Sequence, residues 1–140
     1  YDGSNVEISE LVGEENIKVF GLRTEEVDAL KASGQYWAWN QYNEDRGRLG
    51  RIVDELCDGT LARLSGNFEG IHDYLMTNND PDLVLKDFDS YVQAWDELTA
   101  DYADRNRWNK AALHNTAKAG YFSSDRTIRE YMSDIWHIQD

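Results

Sequence analysis

One cysteine and one proline are all that this chain of 140 residues contains of either type. A single thiol, Cys57, excludes an internal disulfide, and the absence of any Asn-x-Ser/Thr sequon agrees with a cytosolic setting. Proline and glycine together are too few for a low-complexity or wholly disordered chain. No apolar run approaches the roughly 20 residues of a membrane-spanning helix, and no signal-peptide pattern is present, so no membrane partner is expected. Positive charge is also scarce. Against 27 Asp and Glu stand only 14 Lys and Arg, a net charge of −13. Phosphates would be repelled and no basic cluster offsets this, which excludes nucleic acid as a partner. The acidity forms no single block and reads as solvated helix surface.

What is present is enough for one ordinary domain: 41% hydrophobic residues and a length that buries roughly two thirds of the unfolded surface. Asn5 to Leu11 reads as a short, marginal helix or turn, broken by Gly13-Glu14-Glu15. Asn16 to Leu22, with Ile17, Val19 and Phe20, reads as the one clear strand. Thr24 suits an N-cap with Glu25 and Glu26 in the first turn, Val27 and Leu30 facing inward and Gly34 as terminator. Gly34 to Gly47 is aromatic-rich and irregular. Its Tyr36, Trp37, Trp39 and Tyr42 fit either sugar stacking or, the plainer reading, wedging between helices with their polar ends wet. Leu49, Ile52, Val53, Leu56 and Cys57 have helical spacing, which makes Cys57 a small core residue and not a nucleophile.

Further helices are expected around Phe68, Ile71, His72 and Leu75, closed by the turn Asn78-Asn79-Asp80-Pro81. A long one opens at Asp87 or Asp89 and carries Tyr91, Val92, Trp95, Leu98 and Tyr102. Another runs from Arg105 to Ala119, with Trp108, Ala111, Ala112 and Asn115 on one side. The last places Ile128, Tyr131, Met132, Ile135 and Trp136 on one stripe, with Thr127 and Glu130 at capping-box spacing and Ser123, Ser124 and Asp125 at its entry. Such a stripe must lie against something large. One strand among five or six helices is physically odd, because unpaired buried backbone groups cost about 1–3 kcal/mol each. Its partner strands are expected outside this chain or in a second copy.

Chemistry is hard to find. His72, His114 and His137 lack ligand spacing. With Gly47 at the invariant glycine of a calcium loop, Tyr42 and Arg46 fall where oxygen ligands are needed. There is no phosphate loop, nucleophile elbow or zinc pattern. The acid pairs Asp101/Asp104 and Glu25/Glu26 read as solvated.

The two ends of the chain say more. "GYFSSDRTIREYMSDIW" resembles the C-terminal end of the α-glucan (glycogen, starch and maltodextrin) phosphorylases, with Gly120, Phe122, Ser123, Ser124, Asp125, Arg126, Thr127, Ile128, Tyr131, Ile135 and Trp136 matching. "RWNKAALHNTA" and "DFDSYVQAW" are similar to the helices that precede it. "YDGSNVEI" resembles the family's Asp-Gly-Ala-Asn-Val-Glu, with Ser4 in place of alanine, and "GEENIKVFGLRTEEVDAL" looks like the stretch that follows. The blocks run in order from Asp2 to Trp136, and Gln35 to Asn78 departs most.

The resemblance implies an α/β parentage: residues 1–140 as one segment at the end of the C-terminal, Rossmann-like domain of a two-domain glycosyltransferase fold. Residues 1–22 would be the remnant of the last β-α-β unit and residues 23–140 helical, the segment being mostly α-helical with one clear strand. Such enzymes use inorganic phosphate to release glucose 1-phosphate from an α-1,4-glucan, with pyridoxal phosphate on a lysine in a Gly-Asn-Met-Lys-type stretch. None of Lys18, Lys31, Lys86, Lys110 or Lys118 stands in that context. No catalytic, cofactor-binding or metal residue is therefore assigned, and no cofactor is expected on this chain alone. Tyr1-Asp2-Gly3 carries neither a methionine nor a targeting pattern and reads as a trimmed scar or a piece of something longer. The expected partners are the rest of the phosphorylase chain, glucan and phosphate for the whole cytoplasmic enzyme, and a second copy for the isolated chain. A non-catalytic helical interaction or dimerisation module is the alternative. A sugar-nucleotide glycosyltransferase ranks last, because that family lacks the Asp2-to-Glu7 block.

Overall fold

A computed structural model describes residues 3–63 and 66–138. The described residues form eight α-helices: α1 (Gly3–Val12), α2 (Thr24–Ser33), α3 (Ala38–Glu44), α4 (Arg51–Glu55), α5 (Glu69–Met76), α6 (Phe88–Ala103), α7 (Arg105–Lys118) and α8 (Ser124–Glu130). Short 3₁₀ turns and wider helical turns join several of them. The chain falls into two compact units. One comprises Val19–Asp96, the other Gly3–Lys18 with residues 97–138, so the division cuts α6 between Asp96 and Glu97.

The first unit holds the main apolar cluster, built from Ala38 and Tyr42 of α3, Leu49, Val53 of α4, Met76 of α5 and Leu85, with Leu75 and Phe88 packed against it. The stretch read as irregular therefore contains a helix, α3. Its apolar positions Ala38 and Tyr42 are one helical turn apart, and burial of that pair outweighs the weak helix propensity of its Trp, Asn and Tyr. The spacing from Leu49 to Cys57 holds in part: Leu49 and Val53 are buried and Leu56 half-buried. Ile52 is 49% exposed, and Cys57 is exposed, not a core residue. The reason is length. α4 ends at Glu55, and Cys57 lies beyond it in a turn that points away from the core.

In the second unit α1 packs on α7. Asn16 caps the end of α1 by donating from Nδ2 to the Val12 carbonyl at 2.8 Å. Asn115 of α7 donates in turn to the Asn16 carbonyl at 2.9 Å. The turn after α7 delivers Ser123 as the cap of α8, its Oγ accepting from the Arg126 N–H at 3.3 Å. Thr127 thus lies inside the last helix and not at its start. The stripe of that helix stays uncovered: Ile128, Tyr131, Ile135 and Trp136 are all exposed.

No strand is found among the described residues, which corrects the expectation for Asn16 to Leu22. Asn16 closes a 3₁₀ turn, and Ile17 is extended at φ −140° and ψ 149°. The run through Phe20 has no ladder. A strand exists only through a neighbouring strand that accepts its hydrogen bonds, and the described helices offer none. Side chains serve instead. Ser90 Oγ accepts from the Gly21 N–H at 2.9 Å, and Asp87 Oδ1 accepts from the Leu22 N–H at 3.0 Å.

Core Met76 of α5 and exposed Ile52 of α4 make a direct test. Met76→Ala in the core should lower the unfolding free energy by about 2–5 kcal/mol, whereas Ile52→Ala should stay within about 0.5 kcal/mol of the parent chain. Urea unfolding followed by far-UV circular dichroism measures both, and equal losses would mean that Ile52 is buried.

Candidate functional site

Among the described residues no group of three or more His, Cys, Asp or Glu side chains could hold a metal ion. His72 Nδ1 lies 3.7 Å from Asp73 Oδ1, and His137 Nδ1 lies 3.1 Å from the Ser133 carbonyl. The Cys57 thiol is pushed up by desolvation and then by the carboxylates of Glu69, Asp73 and Asp58. That is the reverse of what activates a thiolate nucleophile. Asp101 and Asp104, read as solvated, have structural work. Asp104 caps α7 by accepting from the Asn106 and Arg107 N–H groups, both at 3.1 Å. Asp101 pairs with Arg107 at 2.9 Å and with Lys18 at 3.6 Å, and Lys18 also meets Glu97 at 3.1 Å.

The most developed polar arrangement lies where α5 ends. Asn79 and Asp80 take φ of +59° and +47°, so the chain doubles back and drives Asp80 to zero exposure. A buried carboxylate must find donors or become prohibitively costly. Asp80 finds three: the Tyr36 hydroxyl at 2.7 Å, the Val84 N–H at 2.9 Å and the Leu85 N–H at 2.8 Å. Burial, and then acceptance by Asp80, pushes the Tyr36 phenol far above its ordinary value. Asn79 closes the arrangement, its Oδ1 accepting from the Ala38 N–H at 2.8 Å and its Nδ2 donating to the Tyr36 carbonyl at 3.1 Å. The four aromatics from Tyr36 to Tyr42 thereby divide. Tyr42 is buried with its hydroxyl donating to Asp54 at 2.6 Å, and Tyr36 is half-buried on Asp80, which is the wedge reading. Trp37 and Trp39 remain exposed. Sequence reasoning saw Asp80 only as part of a turn. The available signal was an Asp in a turn just ahead of a proline, a residue type whose carboxylate commonly accepts from N–H groups of the chain that follows.

None of this assembles a nucleophile with a base or a metal with its ligands, so relationship has to supply what geometry does not. The family described as carbohydrate phosphorylase matches residues 1–138. The chain belongs to the carbohydrate phosphorylase family. It is 44% identical over 139 residues to glycogen phosphorylase of Bacillus subtilis, covering 99% of this chain and 17% of that protein. It is 41% identical to maltodextrin phosphorylase of Streptococcus pneumoniae, over 98% of this chain and 18% of that protein. The liver form of glycogen phosphorylase of Homo sapiens is 35% identical over 99% of this chain and 16% of its own length. The chain thus spans less than a fifth of the relatives it matches.

Within this phosphorylase-family chain the block Gly120 to Ile128 is a capping device. Ser123 caps α8, and the Arg126 guanidinium stacks 3.9 Å over the Tyr121 ring while donating to the Tyr121 carbonyl and to Glu130. Its polar residues hold the last helix in place. The Asp80 arrangement is structural in the same sense, and its strength can be measured. Tyr36→Phe should cost about 1–3 kcal/mol near neutral pH, because Asp80 loses one of its three donors. The raised phenol sets the sign with pH. The unfolded state releases this proton above about pH 10 while the folded state holds it, so the unsubstituted chain loses stability there and the gap to Tyr36→Phe narrows. Denaturant unfolding at pH 7 and pH 10.5 reads both effects, and a gap that widens with pH would contradict the bonding described.

Proposed function

We propose that this chain is the C-terminal part of an α-1,4-glucan phosphorylase, the enzyme that uses inorganic phosphate to release glucose 1-phosphate from glycogen, starch or maltodextrin. The observation that carries this reading is the family match across residues 1–138 at 17% of a relative's length. The terminal block from Gly120 to Trp136 agrees with it. The Rossmann-like parentage belongs to the same reading: residues 1–22 are the remnant of a final β-α-β unit, and residues 23–140 are its helical continuation. The extended, ladderless run from Ile17 to Phe20 is what such a remnant would look like. The setting of the whole enzyme is the cytoplasm, in keeping with the lone cysteine. No helix among the described residues is long and apolar enough to cross a membrane.

Pyridoxal phosphate, when bound in the whole enzyme, supplies a phosphate group that handles protons for the substrate phosphate. The lysines here do not fit that cofactor. Lys18 is committed to Glu97 and Asp101, and Lys31, Lys86, Lys110 and Lys118 all stand exposed, and none lies in a Gly-Asn-Met-Lys-type stretch. No catalytic, cofactor-binding or metal residue is assigned to this chain. The purified chain should therefore give no phosphorolysis of maltodextrin and no pyridoxal absorbance. Activity accompanied by borohydride-reducible pyridoxal on any of these lysines would overturn the proposal.

The alternative, a non-catalytic interaction or dimerisation module, draws on the uncovered stripe of α8 and the turn that follows it, where Trp136 is 52% exposed. A contiguous apolar patch of several hundred Å² seldom faces water on a soluble monomer. The natural cover is the rest of the parent enzyme, and in its absence a second copy in twofold symmetry. Light scattering over a concentration series should show the isolated chain self-associating. A chain that stays monomeric at about millimolar concentration would show that these faces need no cover.

A further inference from the structure

Acid and base are unevenly placed in the second unit. α7 carries four Lys and Arg and no Asp or Glu, in a chain where acids outnumber bases almost two to one. α1, which packs beside it, carries Glu7 and Glu10 and no Lys or Arg. Two of the cations of α7 are already engaged: Arg105 stacks 3.6 Å over the Tyr102 ring, and Arg107 pairs with Asp101. The other two are not. Lys110 and Lys118 recur with His114 between them at i, i+4 and i+8, on one side of the helix. All three are exposed, and among the described residues none forms an ion pair or a side-chain hydrogen bond. Glu7 and Glu10 are exposed and equally without an ion pair.

The helix dipole explains only part of this. It favours a cation in the last turn, which suits Lys118, but its effect does not reach Lys110 in the middle of α7. Leu113, one turn on from Lys110, is 72% exposed, more than any other large hydrophobic among the described residues. The outer side of α7 thus joins unpaired positive charge to an uncovered apolar side chain.

We infer that α7 docks on α1 of a second copy of this chain, with Lys110 and Lys118 meeting Glu7 and Glu10 of that copy and Leu113 supplying the apolar contact. Charge selects the occupant. A partner that satisfies α7 must present acid, and one that satisfies α1 must present base; the second unit of another copy presents both. Because each copy owns both faces, a twofold axis forms the pairing twice and closes it as a dimer. Long-range repulsion is weakest at this part of the chain. Residues 97–138 hold as many Lys and Arg as Asp and Glu, six of each, so the net charge of −13 is concentrated elsewhere. This surface goes beyond the stripe of α8 and works by a different force, ion pairing in place of apolar burial.

The test is sedimentation equilibrium of the chain at about 0.15 M salt, where charges more than about 8 Å apart are largely screened. The chain should dimerise with a Kd of about 0.1–1 mM, weakly because each exposed ion pair contributes little. Lys110→Glu with Lys118→Glu should weaken the dimer by at least about tenfold, and so should Glu7→Lys with Glu10→Lys. Mixed in equal amounts, the two double variants should recover the parental affinity as a heterodimer, since each supplies the charge that the other lacks. Far-UV circular dichroism checks the fold of each variant. Should a glutamate substitution disturb α7, Lys110→Ala with Lys118→Ala replaces it and should weaken the dimer several-fold. A mixture that associates no more tightly than its components overturns the inference. So does dimerisation indifferent to both double variants, and its loss in Trp136→Ala would then assign the contact to α8. A chain that is monomeric at about 1 mM overturns both surfaces.

Discussion

Asp80 is the constraint around which the first unit is organised. A carboxylate with no exposed surface is tolerable only when its oxygens are fully engaged, and here its bonds tie together three stretches of chain, two that donate and the turn that carries Asp80 itself. Tyr36 brings the entry to α3, Val84 and Leu85 bring the loop ahead of α6, and the left-handed turn at Asn79 and Asp80 brings the end of α5. Leu85 then enters the apolar cluster with Tyr42, Val53 and Met76. The polar anchor and the hydrophobic core are thus fixed by the same few residues.

The extended run after Asn16 shows how a backbone fares without a sheet. Its N–H groups at Gly21 and Leu22 are accepted by Ser90 and Asp87, side chains at the start of α6. Gly21 has to be glycine there. Its φ is +89°, and a Cβ would stand 2.5 Å from the Asp87 carboxylate that serves the next residue. Two side-chain acceptors are far less than a neighbouring strand provides, and Val19 and Phe20 remain at the surface. The stripe on α8 is likewise at the surface, with Ile128, Tyr131, Ile135 and Trp136 all exposed.

Family membership and chemistry therefore sit at different levels. Membership follows from the match over residues 1–138, but the described side chains cap helices, close turns and pair charges. Asp104, Ser123 and Arg126 are polar residues of the kind that invites a catalytic reading, and each is consumed by a local structural bond. Kinship by itself assigns no role to a side chain, and residues must be argued one at a time.

The sequence by itself determined most of the helices, though not α3, because a 3.6-residue apolar period and its terminators are local: Gly34 ends α2 at φ +63°, α6 and α7 fall where their aromatics repeat, and Ser123 stands at the entry of α8. It also determined the family, since the two terminal blocks are long and specific. Tertiary structure alone decided what depends on distant neighbours. Extended propensity from Ile17 to Phe20 cannot become a strand until another strand lies beside it. Cys57 has the right period for burial but lies past the end of its helix. Trp37 and Tyr36 are adjacent aromatics of similar local preference, yet one is in water and the other is bonded to Asp80, a residue 44 positions away in sequence. Periodicity reports which face of an element is apolar. What comes to cover that face depends on where the rest of the chain goes, and a local pattern carries no record of that.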